Sequence, residues 1–304
     1  KGHVHRDYYK PWKNGTLPSY RAFVRALPGD NTYLPEAYIE NLRRSDKTTR
    51  ERLLLGNFEY DSDPLRLMNY EAITDLPSNN VKDGVKTVIA DIARFGGDKI
   101  VIGAFQGLQL YSLGVYTYQG TDETVKQIKQ EVIEEGVLWE NVLADEDGVG
   151  GGVIDALRGI KGFIGNSTPL EVWNPLKQEL APANFRNLRS QCCFKLSEMV
   201  NERKMAVKIT KFKTNIEGYT VEQALSDMFE ELDQIKRADQ TDNSKPAIIP
   251  KEEMKEQLGR SPDFSDIMMM RMYFEFKKPE EIETGIAYSR IHSIRRNNAI
   301  NHSR

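Results

Sequence analysis

The chain has 304 residues, 39% of them hydrophobic and 29% charged, with a formal net charge of −3 at pH 7. That length fits one large core with a smaller attached piece, and no apolar run approaches the roughly 18–20 residues a bilayer crossing needs, which excludes membrane-spanning functions. Cys192 and Cys193 are adjacent and the 4 histidines (His3, His5, His292, His302) stand near the ends, which excludes disulfide frameworks, four-ligand zinc sites and imidazole-based triads, and leaves chemistry to carboxylates.

Lys1-Gly2-His3-Val4-His5-Arg6 has no apolar core, so it reads as neither a signal peptide nor an initiator sequence, as expected of a fragment. Residues 1–80 are rich in Pro, Tyr and Asn and carry two helix signals, one opened by Pro35-Glu36 and one over Thr48–Leu55 that ends at Gly56. From Val85 the pattern changes to strands over Val85–Ala93, Lys99–Phe105 and Leu108–Tyr118, separated by Gly96-Gly97 and Gln106-Gly107, which predicts an antiparallel meander. A helix over Asp122–Glu135, with Val125, Ile128, Val132 and Ile133 on one face, leads to a short strand at Asn141–Ala144 and a helix from about Gly150. A crossover after a meander predicts an α/β fold with a mixed sheet of about five or more strands. Further on come a helix over Asn184–Arg203, a strand at Ala206–Ile209, a helix over Val221–Arg237, a polar loop at Ala238–Ser244 and a helix over Phe264–Phe276 behind Ser261-Pro262-Asp263. The expected division is 1–80 as an appendage, 81–278 as the main domain and 279–304 as a basic tail.

Three acids stand out. Asp91 interrupts the apolar run Val88-Ile89-Ala90-Asp91-Ile92-Ala93, where a carboxylate is costly unless paired or bound to a cation. Asp145 ends the later strand before Gly148-Val149-Gly150-Gly151-Gly152, and Asp266 falls on the first turn of the last helix. If the two strands are neighbours, the three can converge on one divalent cation, or on two about 3.5–4 Å apart. Asp98, Glu146, Asp147 and Asp263 lie near the same edge and are secondary ligand candidates. Each acid also has a structural alternative: Asp91 pairing with a buried Lys or Arg, Asp145 capping a helix or holding the glycine turn, Asp263 and Asp266 as first-turn acids favoured by the helix dipole.

Ala90-Asp91-Ile92-Ala93-Arg94-Phe95-Gly96-Gly97-Asp98, Ala144-Asp145-Glu146-Asp147-Gly148-Val149-Gly150 and Ser261-Pro262-Asp263-Phe264-Ser265-Asp266 resemble, in order and spacing, the three nuclease motifs of phage terminase large subunits. The resemblance implies an RNase H-like fold in which Asp91, Asp145 and Asp266 hold catalytic Mg²⁺ or Mn²⁺ for hydrolysis of double-stranded DNA. The second acid is often Glu in that family, which leaves Glu146 beside Asp145 as an alternative. The resemblance also implies the bacterial host cytoplasm as location, and a small terminase subunit and a portal protein as partners. Residues 1–75 are similar to the trailing end of the family's ATPase domain, whose phosphate-binding loop is expected upstream. No Gly-Lys dipeptide occurs in this sequence, so it contains no phosphate cradle of its own.

Arg186, Arg189, Lys195, Arg203, Lys204, Lys208, Lys211 and Lys213 form a basic stretch that suggests phosphate positioning, and of these Arg186, Arg189, Lys204, Lys208 and Lys211, with Arg94, are candidate contacts to DNA phosphates. Two other readings stay open: a resolvase or transposase of the same superfamily, and a non-catalytic docking module whose basic tail (Arg290, Arg295, Arg296) meets a portal.

Overall fold

The computed structural model describes residues 4–45, 50–58, 63, 65–92, 98–117, 120–147, 150–174, 179–181, 183–238 and 244–276. The readings placed on Arg94, on Gly148-Val149 and on the tail from residue 277 lie outside the described residues. The chain divides into two units, Lys1–Pro64 and Leu65–Arg304. In the first, α1 (Lys10–Lys13) and α2 (Glu36–Arg44) accompany helical turns at His5–Tyr9 and Arg50–Leu54. α2 starts directly behind Pro35, as the sequence predicts. The rings of Tyr9, Trp12, Phe23 and Phe58 cluster here, Tyr9 and Phe58 stacking at 5.1 Å.

The second unit begins at Leu65. The reason is burial: Leu67, Met68, Ala72, Ile73 and Leu76, on and around α3 (Tyr70–Thr74), belong to its hydrophobic core. That core is built on a six-stranded mixed sheet. Its strands are β1 (Lys86–Asp91), β2 (Ile100–Gln106), β3 (Gln109–Tyr116), β4 (Val142–Asp145), β5 (Lys161–Phe163) and β8 (Ala206–Thr214), in the order β5-β4-β1-β2-β3-β8. β1, β2 and β3 form the predicted antiparallel meander, while β4 lies parallel to β1, β5 to β4 and β8 to β3. The turn between β2 and β3 needs Gly107: its φ is 57°, and a Cβ there would lie 2.8 Å from the Lys82 carbonyl oxygen.

Alternation along β1 sends its side chains into two separate cores. Val88 and Ala90 pack with Val125, Ile128 and Val132 of α4 (Thr121–Glu135) and Val153 of α5 (Gly150–Ala156). Ile133 was expected on that face but is 72% exposed, because it lies one position round the helix from Val132. Ile89, on the other face, packs with α6 (Leu188–Asn201), α7 (Val221–Asp233) and α9 (Asp263–Arg271). α6 is capped by Asn187, whose Oδ1 accepts from the Ser190 backbone N–H, and α7 by a Thr220–Gln223 capping box.

Several elements of the second unit differ from expectation. β5 is a third parallel strand, β6 (Val172–Asn174) and β7 (Glu179–Ala181) make a separate antiparallel pair, and α8 (Lys251–Leu258) fills a stretch that carried no predicted element. β8 extends past Ile209 to Thr214. Among the described residues, no helix is long and apolar enough to cross a membrane.

Candidate functional site

The parallel register of β1 and β4 positions the first two acids. Val88, Ile89 and Ala90 stand beside Val142, Leu143 and Ala144, so the next pair along is Asp91 beside Asp145. Ile89 and Leu143 share one core, while Ala90 and Ala144 share the other. Asp91 and Asp145 therefore project together from the face covered by α9.

The first turn of α9 closes that face. Asp263 and Asp266 are three residues apart and so lie on one side of the helix, both buried, while Phe264, Ile267 and Met268 fix the helix in the core. The start of α9 is tied down from two directions. The Lys99 backbone N–H donates to Asp263 Oδ2 at 3.0 Å, and the Ser265 N–H donates to Glu231 Oε2 at 2.8 Å. Glu231 is fully buried and ion-paired to Arg260; its burial outweighs the Arg260 charge and pushes its carboxyl up to about 8.

Asp91, Asp98, Asp145, Asp147, Asp263, Lys251 and Lys255 line one cavity of about 250 Å³. Within it Lys251, at the start of α8, is the residue that the sequence reading missed. Its Nζ lies 2.5 Å from Asp266 Oδ2, and its charge acts on Asp91, Asp145 and Asp263 as well. The structural alternative for Asp91, a partly buried lysine nearby, is thus present, but one ammonium serves four carboxylates. Burial, then repulsion from Asp266, Asp263 and Asp145, raises the Asp91 carboxyl well above its ordinary range despite Lys251. Burial likewise lifts Asp145 and Asp263 to about 6. At Lys251 burial opposes the charge, yet Asp266 and Asp91 prevail and raise its pKa.

Among the described residues, no three ligand-type side chains close on a common point as an ion would require. The donor chemistry nevertheless fits a divalent cation, since all four groups are hard carboxylate oxygens and their charge exceeds what Lys251 balances. Of the two acids on α9, Asp263 lines the cavity directly, whereas Asp266 is engaged by Lys251 and, at 3.7 Å, by Arg189.

The secondary acids sort by contact. Asp98 pairs with Lys255 at 2.9 Å. Asp147 accepts from the Gly165 N–H at 3.1 Å and donates its own N–H to Asp145 Oδ1 at 3.2 Å, holding the loop after β4. Glu146 turns away and lies over Gly162, in the space a Cβ there would need. Of the two adjacent acids, Asp145 therefore faces the cavity.

The basic stretch splits in two. Arg186 and Arg189 border a groove that adjoins the acids and shares Asp147, Lys251 and Glu252 with their cavity. Lys204, Lys208 and Lys211 do not come near. Ala206 pairs with Gln109 at the end of the sheet occupied by Lys86, while Asp91 ends β1 at the opposite edge. β8 is also three strands from β1, or about 14 Å at ordinary strand spacing. Lys204 pairs with Glu202, Lys208 bonds Asn80 at 2.8 Å, and Lys211 is ion-paired to buried Glu135 on the α4 face. A larger cavity, about 580 Å³, lies at that far end over Gly84, Thr87 and Gly107; its buried Arg271 donates to the Gly107 carbonyl and Glu275.

No protein-family profile and no curated sequence matches the chain. Solved structures do. The nuclease domain of the large terminase subunit gp2 of bacterial virus Sf6 matches at a TM-score of 0.54 and 22% identity, over 68% of this chain and 98% of that one. A lysine-to-alanine variant of the same domain with calcium matches at 0.53 and 23%, and one with manganese and beta-thujaplicinol at 0.53 and 22%, each with the same coverage. The six-stranded mixed sheet flanked by helices is thus the RNase H-like fold of terminase nuclease domains.

Proposed function

We propose that the chain is a metal-dependent endonuclease that cuts concatemeric double-stranded DNA during packaging of a viral genome, the nuclease part of a terminase large subunit. The observation that carries this is the register placing Asp91 beside Asp145 beneath the two acids of α9. Four carboxylates sharing Lys251, with Lys255 taken by Asp98, fit the binding of hard cations. The three-motif resemblance and the fold support the choice of DNA as substrate.

Asp91, Asp145 and Asp263 would hold the metal, with Asp266 behind them. One or two Mg²⁺ or Mn²⁺ ions there supply an activated water and stabilise charge on the phosphate. Asp91, flanked by Asp145 and by α9, takes the central position. Asp147 keeps Asp145 turned inward through its backbone N–H. Arg189, held against Asp266, is placed to meet a phosphate oxygen at the edge of the cavity. Lys251 balances part of the charge of these acids. An upstream ATPase domain, a small terminase subunit and a portal protein are the expected partners, in the bacterial host cytoplasm.

The test is incubation of the chain with supercoiled plasmid. Nicked and linear products are expected with Mn²⁺ or Mg²⁺, few with Ca²⁺, whose longer and looser oxygen geometry positions water poorly, and none in EDTA. Undiminished cutting in EDTA would exclude this mechanism. In the same assay Lys204→Ala and Lys208→Ala should each stay within about twofold of the parent rate, because surface charges beyond a Debye length, about 10 Å at 0.1 M salt, are screened. A tenfold loss in either would put the DNA path at the far end of the sheet instead.

A further inference from the structure

We infer that the groove between the start of α6 and the segment Ile248–Lys251 is a subsite for a DNA backbone phosphate flanking the one that is cut. This rests on the nuclease reading and adds to it a direction for the bound strand.

The groove has a volume of about 310 Å³, and Asp147, Lys251 and Glu252 line both it and the acid cavity, so the two are continuous. A strand whose scissile phosphate lies at the acids can therefore extend into it. The acids themselves repel phosphate, which means that attachment has to come from cations off to one side. Within the basic stretch, most charges are neutralised by carboxylates of the chain: Lys195 by Glu198, Arg203 by Asp75, Lys204 by Glu202, Lys211 by Glu135 and Lys213 by Glu131. Arg186 differs. It is exposed at the groove, and its guanidinium forms no ion pair among the described residues. Its backbone is nonetheless anchored, its N–H donating to the Pro246 carbonyl at 3.0 Å.

The helix end beneath the groove supplies field rather than donors. The N–H groups of Leu188, Arg189 and Ser190 are already bonded to Ser167 O, Gly165 O and Asn187 Oδ1. Binding must then come from side chains. Asn187 Nδ2 donates to Asn166 Oδ1 at 3.0 Å, and exposed Asn166, which lines the groove together with Arg186, keeps its amide N–H groups as donors. A guanidinium with an amide donor next to it suits a phosphodiester, and neither reads a base. Glu252 lies on the rim shared with the acids, so negative charge grows towards the cavity and positive charge towards Arg186.

The experiment uses end-labelled duplexes in which one neutral methylphosphonate is moved along a strand, cut in Mn²⁺ by the parent chain and by Arg186→Ala. For the parent, neutralising one phosphate on one side of the cut should slow cleavage by about tenfold, the scale of a lost hydrogen bond to a charged group. Arg186→Ala should be slowed by a similar factor on unmodified DNA and be indifferent to the replacement at that phosphate, while Arg186→Lys recovers part of the rate. Parent-like cutting by Arg186→Ala, or losses that multiply at every position, would overturn the subsite and leave the nuclease reading intact. Failure of the parent chain to cut any duplex would overturn both.

Discussion

Asp91→Asn is expected to lower plasmid cleavage by about a thousandfold or more, and at the same time to raise the melting temperature of the metal-free protein. The first effect follows from the central position of Asp91 between Asp145 and α9. An amide keeps the volume but loses the charge that holds a divalent ion, whose stabilisation of the phosphate is worth several kcal/mol. The second follows from the sign of its pKa shift. Burial and three neighbouring acids raise the carboxyl in the folded state, so ionising it costs more there than in the unfolded chain, and at neutral pH that cost is carried by the fold. Removing the charge relieves it. Cleavage assays in Mn²⁺ and thermal melts in EDTA read the two effects separately. A variant that still cuts refutes the placement of the metal, and one that cuts poorly because it melts lower refutes the electrostatic account.

Lys251→Ala is expected to do the reverse. Without metal it leaves four carboxylates with no ammonium among them, and breaking a buried ion pair costs about 3–5 kcal/mol. Because 36% of the Lys251 side chain remains exposed, water screens part of this and about 2–3 kcal/mol applies. For a unit of this size that lowers the melting temperature by roughly 5–10 °C. Added Mn²⁺ should recover most of the loss and should bind the variant at a lower concentration than the parent, since no ammonium competes. Acid pH should also help. Asp145 and Asp263 have folded pKa values of about 6, above the ordinary carboxylate value. Stability in EDTA therefore rises as pH falls from about 6 towards 4, where protons are bound in the folded state before the unfolded one. That rise should be steeper in the variant. A melting temperature equal to the parent's at neutral pH, with unchanged Mn²⁺ affinity, would show that Lys251 does not govern the charge of the site.

Much of this site was legible because its first acid breaks a rule. A carboxylate in Val88-Ile89-Ala90-Asp91 is unexpected in a strand buried on both faces, and the meander and crossover around it follow from alternation and from Gly107. The third acid was only half legible. Asp263 and Asp266 sit three apart on one helical face, so spacing cannot say which one faces the cavity; in the structure Asp263 lines it, while Asp266 is held by Lys251 and Arg189. α8 was missed although Pro250 precedes it and Gly259, at φ 73°, ends it, because of its eight residues only Met254 is buried and so no apolar stripe shows. β5, β6 and β7 are three residues each, too short for alternation to register. Lys211 and Lys213 misled for a different reason. Their partners, Glu131, Glu134 and Glu135, lie on α4, distant in sequence, and ion pairs across such a separation leave no local pattern.

The wide separation of the acids along the chain also bears on synthesis. β1 and β4 deliver Asp91 and Asp145 early, whereas Lys251, Asp263 and Asp266 come with α8 and α9, the last two α-helices described. The same late segment buries Phe264, Ile267 and Met268 against the sheet, so an incomplete chain lacks both the closing acids and the cover for its core. On the nuclease reading, cutting power then appears only in finished protein. On that reading, prematurely terminated products would be poorly folded and harmless to DNA.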